Sequence, residues 1–356
     1  MGINITTQEL LQILEITPHS QNVMLVGRHG IGKSEILTEF FAKKGMKVVT
    51  LFLGQMSDPG DLIGLPNKNG EKTDFLPPYW FPLDGKPIVL FLDELNRARP
   101  EVLQTIMDLA LNRKLAGRQL PEGSRIISAV NAGEEYQITD LDPALVSRFN
   151  IYNFLPTTSE WLLWAEQQKL DSRITVFIQN EPVWLDGNEG QKKGIDTGLD
   201  KSPDRRAWKK VSDVIININN LEEIHKKLIA GIIGPAATSR FFGSITGNKV
   251  LTGIEVLLSY EKHKSVLQKY KLHQLAIVNE GIFRFLEAGE ILDSQVPVIA
   301  ENLTAYYKML EKTKNNEAIA HFASVFEKNA YPKGILFVLD HTPNLYDSIL
   351  NFISNL

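Results

Sequence analysis

The chain carries two kinds of hydrophobic pattern, and the change from one to the other falls near residue 155. Short, continuous apolar runs occupy residues 23–26, 47–53, 88–92 and 126–130. Runs of this length without polar alternation are typical of strands that are buried on both faces, as in a parallel sheet. Between them, apolar residues recur at helical spacing, as in residues 102–110. We therefore predict an α/β domain with a parallel sheet at residues 1–155.

From Pro156 onward the pattern is helical. Residues 157–160 fit a capping box, in which a threonine and a glutamate satisfy the first backbone N–H groups of a helix. Further amphipathic helices are predicted at residues 254–271, 274–286, 298–310 and 318–326. We expect two helical regions, at residues 156–250 and 251–356.

Composition and charge remove several classes of function. The 356 residues include no cysteine, which excludes disulfides, thiolate metal sites and cysteine nucleophiles. A net charge of −4 at pH 7 gives no overall attraction to nucleic acid or to anionic lipid. No apolar run approaches the length needed to cross a membrane, and the N-terminus lacks a signal-peptide pattern. We expect a cytoplasmic protein without membrane contact.

A glycine-rich loop follows the first apolar run and opens into a predicted helix, which is the context of a P-loop. Its residues are Gly27, Arg28, His29, Gly30, Ile31, Gly32, Lys33 and Ser34. The glycines allow backbone N–H groups to surround a phosphate, and the helix N-terminus adds partial positive charge there. Lys33 can reach the β and γ phosphates, and the Ser34 hydroxyl can ligate Mg²⁺. The loop predicts binding of a nucleoside triphosphate.

Two adjacent carboxylates, Asp93 and Glu94, end the apolar run at residues 88–92. Ligands of open α/β sheets bind at the carboxyl ends of the strands, so these acids are expected beside the P-loop. Holding two carboxylates next to a buried strand costs electrostatic free energy, which implies a cation or a functional role. We predict that Asp93 holds Mg²⁺ and that Glu94 activates the attacking water as a general base. The alternative is a strand end with two solvated acids.

Asn131 and Arg148 are further candidates, each with a simpler alternative. Asn131 ends the run at residues 126–130 and can hydrogen-bond the γ-phosphate or the water; alternatively, it forms a turn with residues 132–133. Arg148 ends a short predicted helix, where a cation commonly compensates the helix dipole. The residues themselves leave both alternatives open.

An insert at residues 54–83 separates the second apolar run from the strand that ends in Asp93. Residues 67–70 carry the Asn-Lys-Asn-Gly signal of a hairpin turn. Residues 75–82 are rich in aromatic side chains and proline. This segment either braces the core or contacts a partner, and the sequence gives the two interpretations equal support.

With these motifs the chain resembles the AAA+ ATPases, specifically the MoxR type, over about residues 1–245. Beyond the P-loop, the matching strings are Gly-Asp-Leu-Ile-Gly at residues 60–64, Asp-Glu-Leu-Asn-Arg-Ala at residues 93–98, Leu-Asp-Pro-Ala-Leu at residues 141–145 and Ser-Arg-Phe at residues 147–149. The resemblance implies an AAA+ P-loop αβα core at residues 1–155, with residues 54–83 as a helix-two insert. It also implies a helical lid at residues 156–250 and a helical C-terminal extension at residues 251–356.

The resemblance assigns further roles. The P-loop residues with Asp93 and Glu94 keep the roles given above, and Asn131 would be the sensor-one residue. Arg148 would be an arginine finger that reaches the nucleotide of the neighbouring subunit. The sensor-two arginine is either Arg205 or Arg206, because an aspartate interrupts the usual Ser-Pro-Arg string; the Ala-Trp pair that follows favours Arg206.

The function implied by the resemblance is a Mg²⁺-dependent ATPase that forms a homo-oligomeric ring, for which we expect a hexamer, and remodels or activates a partner protein like a chaperone. Proteins of this type often work beside a partner with a von Willebrand factor A domain. One alternative is a restriction-type nucleic-acid motor, but this acidic chain has no evident basic surface with interleaved aromatics. Another is a nucleotide-gated scaffold with slow hydrolysis, against which the complete set of acids and arginine argues.

Overall fold

The computed structural model of this protein describes residues 2–131, 141–187, 201–246, 250–288, 291–313, 315–327 and 330–354. The backbone divides into two compact units, Met1–Thr157 and Thr158–Leu356. The first unit contains the sheet and the second is helical, as the hydrophobic pattern predicts. The further division of the helical part into a lid and an extension at residue 250 stays a prediction.

The first unit follows the predicted α/β order. Its strands are β1 (Ile3–Ile5), β2 (Asn22–Gly27), β3 (Lys47–Phe52), β4 (Leu65–Asn69), β5 (Lys72–Leu76), β6 (Ile88–Asp93), β7 (Lys114–Leu115), β8 (Arg118–Gln119), β9 (Arg125–Asn131) and β10 (Phe149–Phe154). Its helices are α1 (Thr7–Ile16), α2 (Lys33–Ala42), α3 (Gly60–Ile63), α4 (Pro100–Asn112) and α5 (Pro143–Val146), with 3₁₀ turns at Leu53–Gln55 and Leu95–Arg97. The four predicted strands are β2, β3, β6 and β9, but β3 is the last strand of the sheet and is only partly buried, with Lys47 and Phe52 exposed.

Six of these strands form one parallel sheet in the order β1-β10-β2-β9-β6-β3. Neighbouring residues of a strand point to opposite faces. Leu25 therefore packs in the hydrophobic cluster that contains Phe41 of α2, whereas Met24 packs in the cluster that contains Ile106 of α4. Both faces of the sheet are covered, which explains why its central strands are continuously apolar. The predicted α/β fold with a parallel sheet, followed by helices, is confirmed.

Because all six strands run in one direction, the sheet has a carboxyl edge and an amino edge. The carboxyl edge is formed by the ends of β2, β9 and β6 at Gly27, Asn131 and Asp93. The amino edge is formed by the starts of β2 and β10, where Asn22 pairs with Phe149. With 6 residues in β2, the two edges lie about 16 Å apart at about 3.3 Å per residue.

The insert at residues 54–83 forms α3 and the antiparallel hairpin of β4 and β5. Residues 67–69 of the predicted turn belong to β4, and the turn at the tip of this hairpin is formed by residues 70–71. Trp80 is only 3% exposed and belongs to a hydrophobic cluster of the sheet, whereas Tyr79 is 90% exposed. The two interpretations of the aromatic segment therefore fall on different residues: Trp80 braces the core, and Tyr79 faces outward.

The second unit is helical throughout the part that the structure describes. Its helices are α6 (Thr158–Gln167), α7 (Ser172–Asn180), α8 (Arg205–Ile215), α9 (Glu223–Ile233), α10 (Pro235–Thr246), α11 (Gly253–Leu267), α12 (Leu272–Ala288), α13 (Val296–Lys312), α14 (Asn316–Glu327), α15 (Pro332–His341) and α16 (Pro343–Ser354). Helices α6 to α10 share one hydrophobic cluster around Trp208 and Phe241, and α11 to α16 share another around Phe283 and Phe322. Among the described residues, no helix combines the length and the apolar character that crossing a membrane requires.

Candidate nucleotide-binding site

The loop between β2 and α2 has a backbone that requires glycine at several points. Gly30 and Gly32 have φ angles of 78° and 93°, which residues with a Cβ rarely adopt. A Cβ on Gly27 would lie 2.9 Å from the carbonyl oxygen of Phe154. The side chain of Ile31 is buried among apolar residues of the sheet and anchors the loop, while Arg28 and His29 are exposed. The loop therefore presents backbone N–H groups rather than bulky side chains.

Lys33 is the first residue of α2, and its side chain is almost fully buried, with 7% exposed. Its Nζ donates to the carbonyl oxygens of Gly27 at 2.8 Å and Arg28 at 2.9 Å, and to Oδ1 of Asn131 at 2.9 Å. Burial lowers the pKa of Lys33 to about 8, although the carboxylates of Asp93 and Glu94 act to raise it. A cation is thus fixed inside the loop before any phosphate arrives.

The two predicted acids lie at the carboxyl edge, at the end of β6. Asp93 is half-buried, and its Oδ1 accepts a hydrogen bond from the backbone N–H of Glu94 at 2.9 Å. Burial raises the pKa of Asp93 above its ordinary value, while the Glu94 N–H and the Lys33 charge act to lower it. Asp93 therefore sits where a cation would relieve its desolvation.

Glu94 has an unusual backbone and a crowded carboxylate. Its φ of 57° lies in the left-handed region, which costs conformational free energy for a residue other than glycine. Its Oε1 forms an ion pair with Nη1 of Arg97 at 3.0 Å. A Cβ on Gly54 would lie 3.0 Å from Oε2 of Glu94, so the glycine leaves the space that this carboxylate occupies. Backbone conformation and neighbouring groups together fix where the predicted base lies.

Asn96 belongs to the site and was not predicted. Its side chain is fully buried and makes two bonds to the backbone of Asn131: Nδ2 donates to the carbonyl oxygen, and Oδ1 accepts from the N–H, both at 3.2 Å. Asn131 is itself 2% exposed and accepts from Lys33. Asn96 therefore holds Asn131 in position. Asn96 stands two residues after Glu94 in the sequence, but nothing in the sequence indicates that its amide binds the backbone of Asn131. The turn that Asn131 was alternatively expected to form with residues 132–133 lies outside the described residues.

Arg148 lies at the amino edge, immediately before β10. Lys33 and Asp93 of its own chain lie at the opposite ends of the strands. Its Nη1 is buried and has no hydrogen-bond acceptor among the described residues. An unpaired buried guanidinium nitrogen is costly in a monomer unless another group meets it. Within one chain, the structure does not bring Arg148 to the P-loop.

The two sensor-two candidates lie in the second unit, at the start of α8. Arg205 is 8% exposed, and its Nε and Nη2 each donate to the carboxylate of Asp186 at 2.9 Å. Arg206 is exposed. Asp204 precedes them as the N-cap of α8, accepting from the backbone N–H of Ala207 at 2.6 Å. The interrupting aspartate therefore has a local capping role, and the choice of Arg206 stays a prediction.

The residues at the carboxyl edge suit Mg²⁺ bound together with a nucleotide rather than a metal held by protein alone. No cluster of three or more His, Cys, Asp or Glu side chains that could hold a metal occurs in the part of the chain that the structure describes. Asp93 is a half-buried carboxylate, and Ser34 follows Lys33 on the first turn of α2. One carboxylate and one hydroxyl fit Mg²⁺, which completes its shell with phosphate oxygens and water.

A parallel sheet whose central strand leads through a glycine loop into a helix, with a buried lysine and acids at the carboxyl edge, defines a P-loop nucleotide-binding domain. Residues 22–149 match the family described as AAA domain (dynein-related subfamily). This match covers the P-loop, the acids, Asn131 and Arg148. It supports an AAA+ P-loop ATPase.

Three similar proteins share 13% to 30% identity with this chain. "Putative chaperone BssE" of Thauera aromatica is 30% identical over 155 residues, which are 40% of this chain and 54% of that protein, so the match spans about half of its length. NtrX of Brucella abortus, in a structure with ADP, is similar at 13% identity and a TM-score of 0.39, covering 86% of this chain and 68% of that chain. The RuvB Holliday junction branch migration motor of Thermotoga maritima is similar at 13% identity and a TM-score of 0.38, covering 86% of each chain.

Proposed function

We propose that this protein is a MoxR-type AAA+ ATPase that hydrolyses ATP in a homo-oligomeric ring, a hexamer, and uses the cycle to remodel or activate a partner protein. One observation carries the proposal. Lys33 bonds Asn131 at the carboxyl edge, where β6 also delivers Asp93. Arg148 lies at the amino edge, at the other end of strands that are about 16 Å long, with a buried nitrogen that lacks an acceptor among the described residues. A site divided in this way is completed by a second copy of the chain.

The chemistry follows from the groups at the carboxyl edge. Lys33 and the loop N–H groups bind the β and γ phosphates, while Ser34 and Asp93 hold Mg²⁺, which when bound neutralises charge that develops on the phosphates. Glu94 accepts a proton from water as the water oxygen bonds to the γ-phosphorus. The bond from that phosphorus to the β–γ bridging oxygen breaks, and ADP and inorganic phosphate leave. Asn131 orients the water or the γ-phosphate.

Arg148 supplies the remaining positive charge from the neighbouring subunit. Its guanidinium stabilises negative charge on the transferring phosphoryl group, and each active site therefore consists of Lys33, Ser34, Asp93, Glu94 and Asn131 of one chain and Arg148 of the next. Arg206 serves the same nucleotide as the sensor-two residue. Activity depends on assembly because no single chain contains all of these groups in one place.

A protein client is supported by the insert and by the name of the curated relative, which is called a chaperone. Four large apolar side chains of the insert are exposed: Leu65 at 68%, Leu76 at 54%, Tyr79 at 90% and Leu83 at 75%. Exposed apolar groups of this kind favour contact with another protein. We propose that they meet the client, for which a von Willebrand factor A-domain protein is our first candidate, in the cytoplasm.

Mixing two inactive variants tests the shared site. Glu94→Gln keeps a functional Arg148, and Arg148→Ala keeps a functional Glu94, so a mixed ring contains some interfaces that are complete. We expect each variant alone to bind ATP without turnover and the mixture to regain part of the ATPase activity. A mixture that stays inactive although mixed rings are seen by native mass spectrometry contradicts the shared site.

A second measurement addresses the client. Glu94→Gln in ATP should retain a purified partner, and Glu94→Gln combined with Tyr79→Ala should retain less of it at equal ATP occupancy. Tyr79→Ala alone should keep the basal ATPase rate, because its side chain is 90% exposed and outside the phosphate loop. Equal retention by both proteins would remove Tyr79 from the client surface.

A further inference from the structure

Asn22 stands at the amino edge, as the first residue of the strand that leads to the P-loop, and it is 5% exposed. Its Nδ2 donates to the carbonyl oxygen of Arg148 at 3.0 Å and to that of Ala110 at 2.9 Å. Its Oδ1 accepts from Nη2 of Arg113 at 3.2 Å. The buried amide of Asn22 therefore links the start of β2 to the end of α4, to Arg113 and to the backbone of Arg148, the proposed arginine finger.

The contacts of Asn22 described here are hydrogen bonds, which fix the direction of the groups they join. Ala110 lies in the last turn of α4, where backbone carbonyls lack partners within the helix, and Asn22 supplies a donor to one of them. Arg113, which follows the helix with a left-handed backbone, also donates from Nη1 to the carbonyl oxygen of Ser124 at 2.7 Å. The amide of Asn22 is thus held by Arg113 on one side and holds the backbone of Arg148 on the other.

We propose that Asn22 is a positioning residue for catalysis in the neighbouring subunit: it fixes the backbone of Arg148 so that the guanidinium reaches the partner's nucleotide. This inference rests on the shared site proposed above. If Asn22 has this role, the two ends of β2 serve two different active sites. The carboxyl end of β2 carries the phosphate loop of its own site, and the amino end orients the arginine that serves the next site.

A purely structural role for Asn22 predicts a different behaviour. If Asn22 only satisfies buried carbonyls, its loss lowers stability or distorts the P-loop through β2, and the defect stays in the site of the same chain. If Asn22 acts through Arg148, the defect appears in the site of the neighbouring chain. The two roles are therefore separated by asking which half of the interface a variant damages.

Asn22→Asp is the sharpest variant. The carboxylate keeps the volume and the acceptor for Arg113, but it loses both donors and repels the carbonyl oxygens of Ala110 and Arg148. We expect the variant to bind ATP with an affinity within a few-fold of wild type and to lose turnover by about 10²-fold, the effect of a misplacement of about 1 Å. Asn150→Ala is the matched control, because Nδ2 of Asn150 donates to Oε1 of Gln21 at 2.9 Å nearby without contacting Arg148 in the described structure.

Mixed rings then locate the defect. Asn22→Asp mixed with Glu94→Gln should regain activity, since an intact site of the first variant meets an intact Arg148 of the second. Asn22→Asp mixed with Arg148→Ala should not regain activity, because both variants are defective on the same side of the interface. Three outcomes of the mixtures overturn the proposal: activity returns only with Arg148→Ala, activity returns with both variants, or activity returns with neither. Turnover close to wild type in Asn22→Asp alone also overturns it.

The mixture of Arg148→Ala with Glu94→Gln serves as the reference. If this reference fails, the shared site itself is wrong; if the reference works and the Asn22 mixtures do not follow the expected pattern, only the role of Asn22 is wrong. Thermal melting establishes that Asn22→Asp is folded. Should it not fold, Asn22→Ala replaces it in the same mixtures, since it removes the donors without adding charge, and failure of its rescue by Glu94→Gln counts equally against the proposal.

Discussion

The cations at the two edges of the sheet, Lys33 and Arg148, differ in whether their nitrogens have hydrogen-bond acceptors. At the carboxyl edge, Lys33 donates to three oxygen acceptors of its own chain within 2.9 Å. At the amino edge, Arg148 has a buried Nη1 without an acceptor among the described residues. The first cation has its acceptors before a ligand arrives, whereas Nη1 of the second has no acceptor in the described part of its own chain. This difference agrees with the division that we propose, in which the carboxyl edge binds the nucleotide and Arg148 at the amino edge serves hydrolysis in a neighbour.

Replacing Lys33 by Ala has the largest expected effect. The variant removes the buried cation and leaves the oxygens of Gly27, Arg28 and Asn131 to face the phosphates, so nucleotide binding should be lost. Isothermal titration calorimetry with ATP measures this. Lys43→Ala, an exposed lysine after the same helix, should bind normally. Unchanged ATP affinity in Lys33→Ala would contradict the claim that the carboxyl edge binds the nucleotide through Lys33.

Arg148→Ala should separate hydrolysis from binding. ATP affinity and the melting temperature should stay close to wild type, while steady-state turnover falls by a factor on the order of 10³. Arg148→Lys should recover only part of this loss, because an ammonium lacks the bidentate fork of a guanidinium. Turnover of the wild type should also rise more than linearly with protein concentration until rings form. Full activity of Arg148→Ala would reduce this residue to a cation that compensates a helix dipole.

Asn96→Ala should give an intermediate effect. It leaves the backbone N–H and carbonyl of Asn131 without their partners, at a cost of about 1–3 kcal/mol each, so the melting temperature should fall. Turnover should fall by about 10- to 100-fold, while ATP affinity changes little. Asn112→Ala is the control, because among the described residues the Asn112 side chain donates to exposed Asp108, at 2.6 Å, and lies outside the site. A lower melting temperature with normal turnover would make Asn96 structural only.

The smallest expected effect is on the pH dependence of binding. Lys33 in the empty protein has a pKa of about 8, and bound phosphates stabilise its charged form. ATP affinity should therefore be level up to about pH 7 and fall by about fourfold by pH 8.5. The free energy of unfolding should respond in the opposite sense to this group, rising between about pH 8 and the ordinary pKa of 10.5, because the unfolded state then binds more protons. Affinity that is flat to pH 9 would contradict a buried, easily deprotonated Lys33.

Much of the fold could be predicted because the central strands are apolar on both faces. Strands β1 and β10 could not, since their sequences, Ile-Asn-Ile and Phe-Asn-Ile-Tyr-Asn-Phe, mix polar with apolar residues and are only partly buried. Helices α15 and α16 were also missed; each is short and begins at a proline, which was not recognised as a helix start.

In the candidate site, the residues that belong to short sequence motifs could be predicted, and the residues that act through contacts with distant parts of the chain could not. The P-loop, Asp93 and Glu94 are local strings, so their chemistry is visible in the sequence. Asn96 and Asn22 act through bonds to the backbone of residues 35 and 126 positions away, and such pairings exist only once the chain has folded. An amide side chain gives no sign of which distant carbonyl it will meet.

The left-handed backbone at Glu94 sets stability against activity at a single position. A residue with a Cβ held in that region costs about 1–3 kcal/mol, whereas asparagine and glycine adopt it more readily. Selection for heat resistance alone would therefore favour the loss of the carboxylate that we propose activates water, and the expected result is a more stable but inactive protein.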